Sequence, residues 1–569
     1  MSKSVSTFRI RLISGIIIAI ACVLVIKLYM VQVVYSERFE ERADRQYLKP
    51  QHNVLERGSV AFTRRDGTTI DAATVKTGYT LALNPTILTQ PEDTYNALSF
   101  VIDLDADEFL EKANKKDDPY EEVANRMTRE QAEKVQELDL IGVSVFKEKW
   151  RFYPGEELAA HVLGFVGYEG DIRKGQYGLE RYYNDILTRN DNVIYANFFV
   201  ELFSGIGKTI KGKSGGEGSL VTTIEPEVQS FVEKEIAEVS TKWNSKETGV
   251  IVMDPKTGEI YTMALNPTFD LNKFNEQPDA TIYKNSLVSS VYEMGSIIKP
   301  LTMAIGLDTD SVKPTSTYDD KGSMTLDGWT FYNFDKKARG IVDMQEVLNS
   351  SLNTGAAYVM QKTGKIEFRD YMKKLIGGPT GIDLPFEGKP LVDNLNSPRQ
   401  IEYANASFGQ GIALSPTAMI RALAALGNGG YLVQPHIVKE INYLVGPSKN
   451  VAPTKKEKIF DEKTSEDISR MLVKVVDEAL LGGKVKLPHH TIAAKTGTAQ
   501  IAREDGKGYY EDRFLHSFFG YFPAFDPKFI IFLYTVEPKG ARYASETLTE
   551  PFMNMAKYLV NYYEVPPDR

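Results

Sequence analysis

Hydrophobic and polar residues are distributed unevenly along this chain, and the most apolar stretch lies near its N-terminus. Residues 12–34 are almost wholly apolar, interrupted mainly by Lys27. As a helix, these 23 residues would be about 35 Å long, enough to cross a bilayer with some tilt. Basic residues precede the run, and no acidic residue occurs before Glu37. The pattern predicts a single transmembrane anchor, with residues 1–11 as a cytoplasmic tail and the rest of the chain outside.

A cleaved leader is the alternative interpretation of the same run. Ala19-Ile-Ala21 resembles a small-residue cleavage site, and Cys22 directly after it would allow lipid attachment. However, the residues from Val23 to Ile26 continue the apolar run beyond that point, which an ordinary cleaved signal would not do. We therefore expect an uncut anchor.

Shorter helical and strand-like patterns follow the anchor. Arg57 to Phe62 and Thr69-Ile70 indicate two short strands joined by an Asp66-Gly67 turn. Residues 92–138 have the acidic and apolar spacing of helices, and residues 142–150 alternate as a strand. This mixture predicts an α+β domain.

The same region carries no convincing pairing of a nucleophile with a base. Ser144 and Lys147 have a Ser-x-x-Lys spacing, but the alternation of a strand would put their side chains on opposite faces. We predict that residues 35–215 form an elongated α+β pedestal that holds the next domain away from the membrane. The glycine-rich segment from Lys211 to Ser219 would be the boundary.

Residues 216–569 form a second predicted domain, long enough for a large core. The stretch from Thr248 to Ala264 has two apolar runs around a Pro and Gly turn, which predicts a hairpin. The stretch from Pro551 to Tyr563 has the pattern of a last helix. Three segments of this domain carry candidate chemistry.

The first candidate segment contains Ser296 and Lys299. If a helix begins near Gly295, these two side chains lie on one face, a turn apart. Pro300 fits that interpretation, because proline is tolerated where a helix has barely begun. Serine is a weak nucleophile that needs a base, and a lysine can serve when burial or a second cation keeps it neutral. The spacing alone is weak evidence, because such a short pattern recurs by chance.

The second candidate segment contains Ser351 and Asn353, two residues apart, where a turn would precede a helix. A hydroxyl and an amide could then point into one cleft. A cluster of helix-capping residues is the alternative, since Ser and Asn favour helix starts.

The third candidate segment is Lys495-Thr496-Gly497-Thr498, on a predicted strand of small residues that would let a substrate approach the backbone. The Lys-Thr-Gly copy at Lys256 lies in the predicted hairpin turn, and the copy at Lys362 lies at a predicted helix end. An ordinary solvated lysine on an edge strand is the alternative for Lys495.

Composition narrows the classes of function. The net charge of −9, without a basic block, argues against nucleic acid as the main partner. The single cysteine excludes an intrachain disulfide. No histidine spacing is typical of a zinc site, and we expect neither a metal nor an organic cofactor.

The three candidate segments occur in the order of a known motif set. Ser296-x-x-Lys299, Ser351-x-Asn353 and Lys495-Thr-Gly497 together resemble the motifs of penicillin-binding proteins and serine β-lactamases. The chain is similar over nearly its whole length to class B penicillin-binding proteins, which are monofunctional peptidoglycan D,D-transpeptidases. Other segments that resemble signatures of this class are Arg57-Gly58, Tyr153-Pro154, Gly178-Leu-Glu180, Ser407-Phe-Gly-Gln-Gly411 and His516-Ser-Phe-Phe-Gly520.

The resemblance implies a fold and a set of roles. The fold would be α+β, with the membrane anchor, a pedestal of the dimerisation-domain kind, and a transpeptidase domain in which helices flank an antiparallel sheet. Ser296 would be the nucleophile, Lys299 its base and Ser351 a proton relay. The substrate-binding residues would be Asn353, Lys495, Thr496, Gly497 and Thr498.

The resemblance also implies partners and a place in the cell. The reaction would crosslink peptidoglycan stem peptides during cell-wall synthesis, with the division role favoured over elongation. β-Lactams would be inhibitors, and a polytopic membrane glycosyltransferase would be a partner. The protein would be a single-pass protein of the bacterial inner membrane with its catalytic domain outside the cytoplasm.

Several other functions share these motifs. A carboxypeptidase or a β-lactamase would pass the acyl group to water. The predicted anchor and long spacer favour crosslinking, because secreted β-lactamases do not require a fixed height above the membrane. A membrane-anchored β-lactam sensor would share Ser296 and Lys299, but the short predicted tail is too small for a cytoplasmic output domain. A low-activity scaffold for a glycosyltransferase would act through the pedestal.

Overall fold

The computed structural model describes residues 56–170, 172–189, 216–451, 457–503 and 508–569, together with Lys27 and Gly506. The predicted tail and anchor, residues 1–34, lie outside the described residues apart from Lys27. Within the described part, no helix is both long and apolar enough to cross a membrane. The described residues divide into two compact units, which are Lys76–Trp150 on the one hand and Glu56–Val75 with Arg151–Arg569 on the other.

The first two strands are β1 (Val60–Thr63) and β2 (Thr69–Leu83). They pair antiparallel from Val60 opposite Ala73 to Thr63 opposite Thr69. Gly67 supplies the positive φ that the turn between them requires. The hairpin predicted at this point is confirmed.

The smaller unit contains the helices α1 (Pro91–Ser99), α2 (Ala106–Ala113) and α3 (Arg129–Glu137). The end of β2 pairs antiparallel with β3 (Glu121–Met127). The core of this unit includes Leu81, Leu98, Phe109 and Val135. The helical pattern predicted for residues 92–138 is therefore wrong at β3, because strand pairing overrides the weak helical spacing of a seven-residue stretch. The predicted strand over residues 142–150 is confirmed as β4 (Val143–Phe152).

From Arg151 onward, the larger unit continues with short elements around a buried ionic cluster. These elements are α4 (Ala160–Leu163), β5 (Val166–Glu169), β6 (Ile172–Gly175), α5 (Gly178–Tyr182) and α6 (Asn184–Leu187). The carboxylate of Glu180 accepts hydrogen bonds from Arg57 Nε at 2.5 Å and from Arg151 Nε at 2.6 Å. Arg57 also donates to Asn184 and Thr188, and Arg151 donates to the carbonyl of Gly58. The cluster therefore ties three distant segments of sequence together.

A five-stranded antiparallel sheet forms the centre of the larger unit. In their order across the sheet, its strands are β18 (Ala493–Ala502), β19 (Tyr509–Phe522), β20 (Phe529–Val536), β8 (Glu247–Met253) and β9 (Ile260–Asn266). The predicted hairpin at residues 248–264 is confirmed as β8 and β9, and strand β18 is an edge of the sheet.

Helices cover both faces of this sheet. On one face, α7 (Pro226–Trp243) and the last helix, α17 (Thr549–Tyr562), pack with Phe518 and Ile531 in one core. The other face, which includes Phe519, belongs to the large core of the remaining helices. Every residue of β20 is buried, as expected for a central strand covered on both sides. The antiparallel sheet flanked by helices and the last helix are thus confirmed.

Further elements complete the larger unit. The short strands are β7 (Gly218–Thr222), β10 (Thr317–Asp320), β11 (Ser323–Leu326), β12 (Trp329–Tyr332), β13 (Gly340–Asp343), β14 (Tyr431–Leu432), β15 (Val438–Tyr443), β16 (Lys449–Asn450) and β17 (Glu457–Lys458). The helices are α8 (Ser286–Ser289), α9 (Lys299–Asp308), α10 (Met344–Asn349), α11 (Asn353–Thr363), α12 (Lys365–Ile376), α13 (Gln400–Ser407), α14 (Pro416–Ala424), α15 (Glu462–Lys474) and α16 (Ala544–Thr547).

Candidate active site

The turn that carries Ser296 is tightly constrained. Gly295–Ile298 forms one 3-10 turn, and helix α9 follows from Lys299 with Pro300 in its first turn. The prediction of a helix start near Gly295 is confirmed, with a first turn that is 3-10. Gly295 has a φ of +61°, and a Cβ placed on it would lie 3.1 Å from the carbonyl oxygen of Thr498. Glycine is therefore required for the turn to pack against strand β18.

A second glycine supports this turn from below. Gly409, in the segment Ser407 to Gly411, has a φ of +85°, and a Cβ there would lie 2.2 Å from the carbonyl oxygen of Gly295. The hydroxyl of Thr302 on α9 donates to the carbonyl of Ser407 at 2.7 Å. The segment thus holds the Ser296 turn and the start of α9 in a fixed relation.

Ser351 lies in the turn between α10 and α11 and contacts both lysines. Its Oγ accepts a hydrogen bond from Lys299 Nζ at 3.1 Å and another from Lys495 Nζ at 3.1 Å. Its carbonyl oxygen also accepts from Lys299 Nζ. Ser351 has a φ of +54°, a left-handed backbone that is strained for a serine and is typical of functional sites.

Asn353 begins helix α11 and lies half-buried in the wall of the same site. Its side-chain amide donates to the carbonyl of Tyr332 at 2.9 Å. The oxygen of the amide is the part of this side chain that a substrate N–H could use. The predicted turn before a helix is confirmed for Ser351, and Asn353 is the first residue of the helix that follows.

Strand β18 brings the third segment to the site. Lys495 donates to Ser351 Oγ and to the carbonyl of Thr496, the latter at 3.0 Å. A Cβ on Gly497 would lie 2.5 Å from Ser517 Oγ and 2.8 Å from the carbonyl oxygen of Met294, so only glycine lets the strand approach the Ser296 turn this closely. Thr498 Oγ1 accepts from the backbone N–H of Ala544 at 3.0 Å.

The two lysines are buried together without a carboxylate. Lys299 is 1% exposed and Lys495 is 4% exposed, and no ion pair joins either of them to an acidic side chain among the described residues. Burial, and then the positive charge of Lys495, hold the pKa of Lys299 well below its ordinary value. Burial lowers the pKa of Lys495 to about 8. Such an environment can keep one lysine neutral and able to accept a proton.

These residues surround a cleft of about 270 Å³. Its lining includes Ser296, Ser351, Asn353, Thr496 and Thr498. Lys299, Lys495 and Gly497 are buried beside it, next in sequence or hydrogen-bonded to lining residues. The structure therefore brings all eight predicted site residues to one place.

Four aromatic or charged residues of the cleft escaped the sequence analysis. Phe334, Asp335 and Arg339 lie between strands β12 and β13, and Tyr543 lies in the loop before α16. The rings of Phe334 and Tyr543 meet edge to face at 5.4 Å. These positions sit in irregular loops without a motif, and an Asp and an Arg four residues apart are too common a pair to indicate a site.

Chemically, the arrangement suits nucleophilic catalysis. Ser296 faces the cleft, Lys299 is a candidate base, and the Ser351 hydroxyl touches the amines of both lysines. Lys495 would supply positive charge for an anionic group on a ligand.

Two family models match the chain. The penicillin-binding protein transpeptidase domain matches residues 248–556, and the penicillin-binding protein dimerisation domain matches residues 57–197. The first range covers the sheet and cleft of the larger unit. The second covers the smaller unit together with residues 57–75 and 151–189 of the larger unit.

Relatives and solved structures agree with these matches. The chain is 29% identical over 568 residues to stage V sporulation protein D of Bacillus subtilis, covering 97% of this chain and 85% of that protein. It is 29% identical over 428 residues to the probable peptidoglycan D,D-transpeptidase FtsI of Caulobacter vibrioides, covering 74% of this chain and 66% of that protein. Its fold is similar to that of penicillin-binding protein 3 from Mycobacterium tuberculosis in complex with aztreonam, with a TM-score of 0.64 and 24% identity over 74% of this chain and 92% of that chain.

Proposed function

The chain belongs to the penicillin-binding protein transpeptidase family, as a class B member, and on that premise we propose that it crosslinks peptidoglycan stem peptides through an acyl-enzyme on Ser296. The observation that carries the proposal is the pair of buried lysines that meet at the hydroxyl of Ser351 beside the Ser296 cleft. The name of the Caulobacter relative states the same reaction for that protein.

The first step is acylation. Lys299, kept neutral by burial and by the charge of Lys495, takes the proton of Ser296. Ser296 Oγ then attacks the carbonyl between the two terminal D-alanines of a stem peptide. The backbone N–H groups of Ser296 and Thr498 form the oxyanion hole, and each such donor contributes about 3 to 4 kcal/mol to transition-state stabilisation.

The leaving D-alanine needs a proton, and Ser351 is placed to deliver it. Its hydroxyl accepts hydrogen bonds from the Nζ atoms of Lys299 and Lys495, so it connects the base to the lysine of strand β18. Asn353, held by the Tyr332 carbonyl, offers its amide oxygen to the substrate backbone.

The terminal carboxylate of the donor peptide binds on strand β18. Lys495 supplies the charge, and the hydroxyls of Thr496 and Thr498 supply hydrogen bonds. Gly497 has no side chain, which lets the strand pack closely on the Ser296 turn. An amine from a neighbouring stem then takes the acyl group from Ser296, and a β-lactam would acylate the same hydroxyl.

We further propose the cellular setting that the sequence predicts. Residues 12–34 anchor the protein in the bacterial inner membrane with the catalytic domain outside, and residues 35–215 act as its pedestal. A septal role is favoured by the resemblance of Ser407-Phe-Gly-Gln-Gly411 to division-type members of the class, and a polytopic membrane glycosyltransferase is the expected partner. Residues 216–569 form the transpeptidase domain.

Labelling with a fluorescent penicillin tests the nucleophile. We expect the wild-type chain to be labelled covalently and Ser296→Ala to remain unlabelled. Ser144→Ala is a matched control, because Ser144 has the same Ser-x-x-Lys spacing but lies in strand β4. Covalent labelling that persists in Ser296→Ala would remove Ser296 from this role.

Mass spectrometry of products from a lipid-linked substrate tests whether the acyl group passes to an amine or to water. Crosslinked stems would support transpeptidation, whereas hydrolysed stems alone would favour a carboxypeptidase.

A further inference from the structure

The charges that face the cleft are few and lie in one place. Among the described residues that line the cleft, Asp335 and Arg339 are the only ones with a formal charge. They form a two-pronged ion pair, with Arg339 Nη2 at 2.8 Å from Asp335 Oδ2 and Nη1 at 3.2 Å from Oδ1. The side chain of Arg339 is 24% exposed and that of Asp335 is 34% exposed, so both remain accessible from the cleft.

This ion pair is held in position by a buried network. The backbone N–H of Arg339 donates to Asp320 Oδ2 at 3.1 Å, and its guanidinium also donates to the carbonyl of Lys337 at 3.0 Å. Asp320 is only 1% exposed, and it accepts further hydrogen bonds from Asn333 at 2.9 Å and Thr354 at 2.8 Å. The loop that carries the ion pair is thereby tied to the first turn of α11.

The proposed function leaves this pair without a task. The donor carboxylate is assigned to Lys495 and the threonines of β18, and the acyl group to Ser296. What remains to be recognised is the second substrate, which arrives as an ammonium group. A carboxylate can receive that ammonium, and a guanidinium matches a carboxylate in a two-pronged geometry.

We propose that Asp335 and Arg339 form the acceptor subsite, and that the acceptor is an amine whose own carbon carries a carboxylate. Asp335 receives the ammonium group and Arg339 receives the neighbouring carboxylate, so each partner of the ion pair exchanges its contact for one with the substrate. A simple alkylamine, or an amine flanked by an amide, satisfies only Asp335. This inference rests on the proposed function and adds the chemical class of its second substrate.

The transfer step then balances as follows. The ammonium group held by Asp335 loses one proton to solvent, and the neutral nitrogen attacks the acyl carbon. The new C–N bond forms while the bond from that carbon to Ser296 Oγ breaks. A second proton leaves the nitrogen and returns to Oγ by way of Lys299 or Ser351, which leaves an amide and a free serine.

Aminolysis kinetics with matched acceptors test the inference. The full-length protein is acylated with an N-acyl-D-alanyl thioester, and D-alanine, D-alaninamide and ethylamine are compared as acceptors, with rates expressed per unprotonated amine. We expect D-alanine to react about 10- to 100-fold faster than the other two, because charge-assisted hydrogen bonds are worth more than neutral ones. Equal rates for all three in the wild-type protein would overturn the inference without any variant.

Variants test whether Arg339 causes the preference for D-alanine as the acceptor. Arg339→Gln should reduce the D-alanine rate to that of D-alaninamide. Lys337→Gln is a matched control, because it removes the same charge from the same loop at a side chain that does not line the cleft. Retention of the full D-alanine preference in Arg339→Gln would overturn the inference.

Penicillin acylation separates this inference from the proposed function, since it needs no acceptor. If Arg339→Gln is acylated by penicillin like the wild type and loses only the acceptor preference, the inference is supported. If wild-type Ser296 is not acylated at all, the proposed function fails and the inference falls with it. If Ser296 is acylated but the three acceptors are used equally, only the inference fails.

Discussion

The larger unit contains two buried clusters of positive charge, and they differ in what accompanies the charge. In one cluster, Arg57 and Arg151 share the carboxylate of Glu180, which is 0% exposed. In the other, Lys299 and Lys495 share only the hydroxyl of Ser351. The first cluster therefore contains compensating charge, whereas the second contains none from the part of the chain that the structure describes.

The difference appears in the direction of the pKa shifts. Burial would raise the pKa of Glu180, but the guanidinium groups of Arg151 and Arg57 more than offset this and lower it. Burial, with no anion to offset it, lowers the pKa of both lysines. Buried cations that share a carboxylate form a cluster that stabilises the structure. Buried lysines without a carboxylate have lowered pKa values, and one of them can act as a base.

The largest expected effect is on chemistry. Lys299→Met keeps an unbranched side chain but removes the amine, so penicillin acylation should fall by about 10²- to 10⁴-fold. The free energy of unfolding should not decrease, because a buried and unpaired amine costs stability. Stopped-flow or gel-based acylation rates and chemical denaturation measure the two quantities. An unchanged acylation rate would contradict the role of Lys299.

The matched cluster should respond in the opposite manner. Glu180→Gln leaves two guanidinium groups buried without an anion, so we expect the free energy of unfolding to fall by about 3 to 5 kcal/mol. The acylation rate per folded molecule should stay within about threefold of the wild type. Chemical denaturation of the full-length protein measures the change.

Glu169→Gln is the control for that experiment, because the Glu169–Lys174 pair is exposed and its loss should change stability by less than about 0.5 kcal/mol. A similar small effect for Glu180→Gln would mean that the buried cluster is not structural.

The pH dependence of acylation sharpens the contrast within the lysine pair. We expect a bell-shaped profile, because Lys299 must be neutral and Lys495 charged. The alkaline limb should lie near pH 8, where Lys495 loses its proton. Lys495→Arg keeps the charge at higher pH, so the alkaline limb should move beyond pH 10 even if the rate is lower. A limb that stays near pH 8 in this variant would assign it to another group.

The smallest expected effects are on stability as a function of pH. The folded pKa of Lys495, about 8, lies below its ordinary value of 10.5, so the unfolded chain binds more protons between these values and stability rises with pH there. The folded pKa of Glu180 lies below 4.5, so its contribution is present above pH 4.5 and is lost as pH falls through the folded pKa. The difference in unfolding free energy between wild type and Lys495→Met should change between about pH 8 and pH 10.5. The difference between wild type and Glu180→Gln should change below pH 4.5. Curves that run parallel at all pH values would contradict both assignments.

The catalytic candidates, and the local helices and strands on which they lie, could be predicted from the sequence alone. The nucleophile, its base and the Lys-Thr-Gly strand were recognisable because the three segments, in this order, resemble the motif set of a known family. The hairpin of β8 and β9 and the helix start at Ser296 were predictable because apolar period, glycine and proline act over a few residues. The pattern at β3 was misjudged because pairing with a distant strand decides a segment that short.

The contacts between the candidate residues depend on tertiary packing and could not be predicted from the sequence. Ser351 lies 52 residues from Lys299 and 144 residues from Lys495 in sequence, yet its hydroxyl contacts both amines. The burial that lowers the pKa of these lysines comes from packing, which has no local signature. Asp335 and Arg339 face the cleft because Asp320 anchors their loop to α11, and a contact between distant segments is not written in the spacing of either one.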